Sequence, residues 1–504
     1  MHGLFRLQRS GQIALILMAL AMLALILAYA APVRAMGIDG TARLSPEAAR
    51  PNSAPTGAAA LFGIDEGDRL SWDPNALALA TATGVSWTRI AVGWRYIEPN
   101  KDDYRFNSSD ALNTLHAGGL DPIVYLSEIP AWMGNNLCGP IDTSDPSKLA
   151  ELTDIMRMLA SRYPFVKIWA LENEEDKVDC FGTGNDYVKY AQMLAAAWKG
   201  VHDGNPNAKL GVGALGYDNF KAGNKTCPPK YPGCNPTGGF NYSFVSNLFK
   251  YIANPNNALP TGQKYMDMVL FNYYDVYGRY WETVANGHGV QAKANAIRKQ
   301  MTAAGIKPPV PLLVTETGED SGGWWIGAKG QARCLDITMV RGAAARLQGI
   351  VWWTFKDNPG NPSPSVWKYG IVDENLNKKL SYTALQTLAT ELNGFNLTNT
   401  LSNKTGLAGI EAYKFTSGAV TKFVVWSSTY KNSDPAKNGY HAPCSWARTS
   451  RIATFTATKL RIVNYDGTVT TIKDGGKLDK NTTKGKIGIA LAGDPKIVQL
   501  NPPQ

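Results

Sequence analysis

Two stretches of this 504-residue chain run through apolar residues and end on carboxylates. They are VKIWALENEED (166–176) and VPLLVTETGED (310–320). A carboxylate at the end of a buried segment costs free energy unless it has a partner or a task. Two such groups can divide a reaction between them. One, protonated, gives its proton to a leaving group; the other, ionised, attacks as a nucleophile. The acids at these two ends, Glu172, Glu174 and Glu175 in the first and Glu316 in the second, are the candidates. Arg89, in SWTRIAVG (86–93), is a cation able to keep one acid charged. On an extended strand Glu172 and Glu174 would share a face, and two close carboxylates raise one pKa. With five His in the chain and no CxxC or HxxxH spacing, no metal site is expected. No GxGxxG or GxxxxGK[ST] stands where a nucleotide cofactor would need it, so no cofactor is expected either.

The elements that must position these acids repeat. LFGID (61–65), SWTRIAVG (86–93), DPIVYLS (121–127), VKIWALEN (166–173), KLGVGAL (209–215), MDMVLFN (266–272), VPLLVTE (310–316) and GIVWWTF (349–355) are short and apolar on both faces. Such runs suit a parallel sheet covered on both sides. Helical stretches such as 147–163 and 185–202 lie between them. Eight β-then-α units predict a (β/α)8 barrel over 61–395, with its chemistry at the C-terminal strand ends. Strands four and seven lie across the ring from each other. Inward carboxylates at their ends can approach to about 5–5.5 Å, the separation for double displacement at a glycosidic bond. After 395 the pattern changes to short alternating segments: 410–415, 421–428, 451–467, 468–473 and 485–491. They predict a small β-sandwich over 396–504, packed on the barrel.

The motifs resemble those of clan A retaining glycoside hydrolases, in the clan's order. Thr88-Arg89-Ile90, Trp94 to Pro99 (WRYIEP) and Tyr104-Arg105-Phe106 are similar to the second-strand signature. Pro130-Ala131-Trp132 follows strand three and Asn173-Glu174 ends strand four. Asn272-Tyr273-Tyr274 ends strand six, Thr315-Glu316 strand seven, and Trp353 strand eight. Tyr369 to Asp373 (YGIVD) with Ser381-Tyr382 resembles the clan's exit segment, and ALAGDPKIV (490–498) the sandwich of family 39-type members. The resemblance implies Glu174 as acid/base and Glu316 as nucleophile. It implies that Tyr274 orients Glu316, that Arg89 keeps it charged, and that Asn173 bonds the sugar 2-OH. Trp94, Trp132, Trp324, Trp325 and Trp353 are expected to offer platforms to sugar rings. The chain departs from the clan in having Glu172 before the Asn-Glu pair, Glu175 after it, and Asn272 where His is common. Two other readings keep the same barrel: a non-catalytic carbohydrate-binding surface protein and a transglycosylase.

The termini and cysteines point outside the cytoplasm. Arg6 and Arg9 precede an apolar run from Ile13 to Ala31, and Val33 and Ala35 stand at the −3 and −1 positions of a signal-peptidase site. Residues 1–35 therefore read as a secretory leader. The run is also about long enough for an uncleaved membrane anchor, the only membrane contact expected. Residues 36–60 read as a linker. Cys227 and Cys234 flank a short loop and are expected to pair; Cys138 could pair with Cys180 across loops, and Cys334 with Cys444 between domains. The net charge is +10, yet residues 36–400 carry 33 Lys and Arg against 35 Asp and Glu. From Leu401 to Gln504 the counts are 15 and 6. The barrel that bears the acids is slightly acidic, which argues against nucleic acid and leaves a carbohydrate substrate.

Overall fold

The computed structural model describes residues 56–134, 138–178, 180–181, 184–216, 240–275, 281–282, 288–322, 326–358, 368–402, 404, 407–431 and 442–502. The expected leader, most of the linker, the Cys227–Cys234 pair, Trp324 and Trp325 lie outside these residues. Among the described residues no helix is long and apolar enough to cross a membrane.

Eight strands close into a parallel barrel in chain order: β1 (Phe62–Asp65), β2 (Trp87–Gly93), β3 (Asp121–Ser127), β4 (Ile168–Leu171), β5 (Lys209–Leu215), β6 (Met268–Asn272), β7 (Leu312–Thr317) and β8 (Ile350–Trp352). The helices around them are α1 (Pro74–Ala82), α2 (Ala111–Ala117), α3 (Pro146–Arg162), α4 (Asp186–Gly204), α5 (Tyr242–Ala253), α6 (Val290–Ala304), α7 (Gly327–Ala344) and α8 (Leu380–Leu392). Local signals start several of them. Asp145 caps α3, accepting from the Ser147 amide at 2.9 Å with Pro146 in the first turn, and Asn241 caps α5 in the same way.

The barrel is filled by Ile123, Ile168, Ala170, Met268, Leu270, Leu313 and Val351, with Trp87 and Tyr125 against them. Side chains alternate along a strand, so the residues two positions on lie on the same inner face. From Trp87 that step reaches Arg89, from Leu270 it reaches Asn272, and from Val351 it reaches Trp353. The lower layers are thus apolar and the upper ones polar.

Two irregularities break this period. β7 spends two residues, Val314 to Glu316, where β6 spends one, Phe271 to Asn272. The extra residue, Thr315, marks a bulge that changes which side chains point inward. β5 likewise takes three steps from Val212 to Leu215 where β6 takes two.

Beyond α8 lies an all-β domain. One sheet has the order β14-β13-β16-β11-β10-β9, made of β9 (Asn396–Thr400), β10 (Ile410–Ser417), β11 (Val420–Ser427), β13 (Lys459–Asn464), β14 (Val469–Lys473) and β16 (Lys496–Leu500). The other pairs β12 (Arg451–Thr456) with β15 (Lys486–Leu491). Ile410, Phe423, Val425, Phe455, Leu460, Ile487 and Val498 fill the space between them. The segment 451–467, expected as one strand-like run, divides into β12 and β13 in different sheets. β9 was not foreseen because its sequence, NLTNT, carries one apolar residue and its burial pattern is almost wholly exposed.

The domain is fastened to α7. Cys334 of α7 is disulfide-bonded to Cys444. Arg341 of α7 reaches Glu411 of β10 at 2.7 Å and Glu282 at 3.0 Å. Arg333 pairs with Asp494 at 2.7 Å. The second disulfide, Cys138–Cys180, ties the loop after β3 to the loop after β4.

Candidate active site

Glu316 stands at the end of β7 with its side chain 14% exposed, and both carboxylate oxygens are engaged. Oε1 meets Arg89 Nη1 in an ion pair, and Oε2 accepts from the Tyr274 hydroxyl at 2.8 Å. Arg89, 3% exposed on β2, also donates through Nη2 to Asn173 Oδ1 at 2.6 Å. Its guanidinium lies over the Tyr125 ring, 4.2 Å from the centroid, and 3.8 Å from Asp65. Burial works against the arginine's charge, but Glu316, Tyr125 and Asp65 outweigh it and lift its pKa above the ordinary value. Arg89 thus remains a cation, fixed by its partners.

Glu174 follows β4, and its side chain is 13% exposed. Oε1 accepts from Asn272 Nδ2 at 3.0 Å, and Oε2 pairs with Lys177. Asn272 is the register partner of Glu316 across the β6–β7 ladder. One buried amide therefore touches the first acid and adjoins the second. Thr315 Oγ1 donates to Asn272 Oδ1 at 2.9 Å, which fixes the amide's orientation toward Glu174.

The expectation that Glu172 and Glu174 share the face of one strand is not met. β4 ends at Leu171, and the two glutamates have φ of 64° and 54°, in the left-handed region. Strain of this kind in side-chain-bearing residues persists only where surrounding contacts hold it. The Glu172 amide donates to Leu126 O at 2.8 Å and the Glu174 amide to Ala214 O at 3.2 Å. Glu172 is 4% exposed; burial, then the charges of Glu175 and Glu128, push its pKa well up. Its electrostatic neighbours are thus those two residues rather than Glu174.

Tyr274, not Tyr273, reaches Glu316; Tyr273 is 1% exposed and its hydroxyl turns to Asp275. Trp353 is half-buried at the end of β8, in edge contact with Tyr274 at 6.3 Å and Tyr369 at 5.0 Å between centroids. The peptide after it, Trp353–Thr354, is cis. Trp94 is a correction. It is 1% exposed, donates to Glu98 Oε2 at 2.8 Å, and packs edge-on against Trp132. Its ring is spent on the interior and offers no face to a ligand. Trp132 donates to Glu98 O at 3.0 Å and remains partly exposed.

Sequence reasoning missed Asp65, Tyr125 and Lys177. Asp65 ends β1 beside Arg89, and burial pushes its carboxyl up to about 8, with Arg89 pulling it down and Glu316 pushing it further up. The rule that singled out the acids of β4 and β7 would have found it. Lys177 comes from a loop, and nothing in its sequence surroundings marks it, whereas Tyr369 opens the exit segment YGIVD but was given no role at the site.

No protein-family model and no curated protein matches the sequence. Among solved structures the chain is similar to a family 39 glycoside hydrolase from the gut symbiont Bacteroides cellulosilyticus WH2, at 16% identity and TM-score 0.62, over 88% of this chain and 81% of that one. It is similar to a glucosidase from Croceicoccus marinus at 12% identity and TM-score 0.56, over 89% and 98%. A family 30 endoxylanase from Clostridium papyrosolvens C71 matches at 12% identity and TM-score 0.53, over the same shares. These likenesses show the fold, a (β/α)8 barrel followed by a β-sandwich, and each of these neighbours is a glycoside hydrolase.

Proposed function

We propose that this protein is an exported glycoside hydrolase that cleaves O-glycosidic bonds with retention of configuration. The observation that carries the reading is the double hold on Glu316. A carboxylate bound by a fixed arginine on one oxygen and a tyrosine hydroxyl on the other is held in one orientation. In the reaction Glu316 attacks the anomeric carbon while Glu174 gives its proton to the departing oxygen. A covalent glycosyl-enzyme forms. Glu174 then takes a proton from water, which attacks the same carbon and releases Glu316. Asn173 has its oxygen on Arg89, so its amide hydrogens are available to the sugar 2-OH, a contact that strengthens in the transition state. Trp353, braced by Tyr274 and Tyr369, presents a face to the ring.

Export is supported by the leader-like sequence and by the two disulfides among the described residues, which persist in oxidising compartments. The neighbours' names cover more than one activity, so the sugar and linkage are assigned by experiment. Aryl glycosides of several sugars, followed by trapping with the 2-fluoro analogue of any that is cleaved, test the reading. Mass spectrometry is expected to find one sugar on Glu316. The reading fails if no glycoside is turned over and Glu316→Gln behaves as the parent does.

A further inference from the structure

Directly after Glu174, Glu175 is fully buried, and its Oε2 has no hydrogen-bond partner among the described residues. Its Oε1 meets the hydroxyl of Tyr190 on α4. That hydroxyl has two further contacts: Leu171 O at 2.8 Å and the Gly213 amide at 2.9 Å. Gly213 lies where β5 takes its extra step, a position at which a bulge leaves an amide out of the ladder. A phenol has one proton to give and two lone pairs to receive with. The carbonyl of Leu171 only accepts and the amide of Gly213 only donates. Tyr190 therefore gives its proton to Leu171 and receives from Gly213, and the third contact is satisfied when Glu175 supplies a proton.

We propose that Glu175 is a neutral carboxylic acid that donates to Tyr190, and that this lock positions Glu174. The unmatched Oε2 agrees: on an ionised carboxylate it would be a bare buried charge, on the neutral acid it is one carbonyl-type oxygen. Burial pushes the carboxyl up to about 8, against the pull of Tyr190 and its own amide, with Asp176 and Glu174 adding to the rise. The lock joins the end of β4, at Leu171, to β5 at Gly213. One residue on, Ala214 O receives the Glu174 amide. Position 213 must be glycine, because a Cβ there would lie 1.6 Å from Glu175 Oε1. Glu175 acts through Tyr190 and the two strand ends, so it is a positioning residue.

The titratable groups around it come from several elements. Tyr190 faces it from α4, and Glu172, Glu174 and Asp176 belong to its own segment. Glu128 stands beyond Glu172, after β3. Lys293 of α6 donates to Gly216 O, whose own amide goes to Asp176 Oδ1 at 2.8 Å. Ionisation of Glu175 leaves Tyr190 with one proton for two acceptors and sets a new charge beside Glu174 and Asp176.

The test compares the parent with Glu175→Gln, which keeps a donor but has no proton to lose. A folded-state pKa raised from 4.5 to about 8 means that stability present below the lower value is lost as pH rises through the upper one. Melting temperatures across that range are expected to show Glu175→Gln gaining several degrees on the parent between the two values and levelling off above them. A difference that stays constant with pH overturns the proposal. The effect on Glu174 rests on the glycosidase reading. With a cleaved aryl glycoside, Glu175→Leu is expected to lose more than tenfold in kcat with KM little changed, and Glu175→Gln to restore most of it. If Glu175→Gln falls as far as Glu175→Leu, the neutral donor is wrong. If no glycoside is cleaved by any variant, the melting comparison still decides the protonation of Glu175.

Discussion

At the scale of the residue, the two acids are held in unlike ways. Glu316 has an arginine and a phenol on its two oxygens; Glu174 has a buried amide and the mobile-stemmed Lys177, which is 41% exposed. The tighter hold suits a nucleophile that must stay charged, the looser one a group that must exchange protons. If Glu174 is the general acid, Glu174→Ala is expected to lower kcat/KM by about 10²–10⁴-fold on glycosides with poor leaving groups. Its loss should be much smaller with a dinitrophenyl leaving group, which departs without a proton. Equal losses on both would remove Glu174 from that role. Tyr274→Phe deletes the 2.8 Å bond to Glu316 and leaves the ring against Trp353. Its expected signature is a lower kcat with KM nearly unchanged, read with the same substrates.

At the scale of the element, the junction between α7 and the β-domain concentrates charge on buried side chains. Arg341 is 1% exposed and lies between Glu282 and Glu411. Tyr413 and Trp426 also donate to Glu411, at 2.9 and 3.0 Å. Burial alone would raise the Glu411 pKa, but Arg341 reverses this and holds it at about 2. A depressed folded-state pKa gives stability that is present above 4.5 and lost as pH falls through about 2. Glu411→Gln is therefore expected to flatten the acid limb of the melting curve over that interval. Arg341→Ala takes the nearest cation from two buried carboxylates, leaving Glu411 with Arg448 at 3.9 Å, and should cost about 3–5 kcal/mol, read by denaturant unfolding.

At the scale of the whole molecule, the β-domain is stitched to the barrel and carries most of the net positive charge. Cys334 and Cys444 are 110 residues apart in sequence, and closing a loop of that size restricts the unfolded chain by about 4–5 kcal/mol in the entropic account. Cys444→Ser is expected to lower the melting temperature, and reductant to lower that of the parent but change the variant less. Lys473, Lys477, Lys480, Lys484 and Lys486 are all exposed on one stretch of the domain. The acids of that stretch bond its own backbone: Asp474 accepts from the Gly485 amide at 2.7 Å, and Asp479 from those of Gly475, Asn481 and Gly488. They order the loop, and its five lysines outnumber its two acids. Retention on an acidic polysaccharide at low salt should fall when these lysines are reversed to Glu, while hydrolysis of a small aryl glycoside is unchanged.

The barrel was legible in the sequence because eight apolar runs at regular spacing have few other ways to bury both faces. The same pattern marked the strand ends, and with them Glu174, Glu316, Arg89 and Asn173. Trp94 was misjudged because a tryptophan beside a strand end reads alike whether its ring faces the cleft or the core. What only the tertiary structure decided depends on contacts between residues far apart in sequence. The bulge at Thr315 sets which side of β7 faces inward. The left-handed backbone at Glu172 and Glu174 separates two acids that strand periodicity would have paired. The proton count at Tyr190 needs Leu171, Glu175 and Gly213 in one place. Local sequence determines where polar groups leave the apolar strands; the ladder register and the sharing of single protons determine what each one then meets.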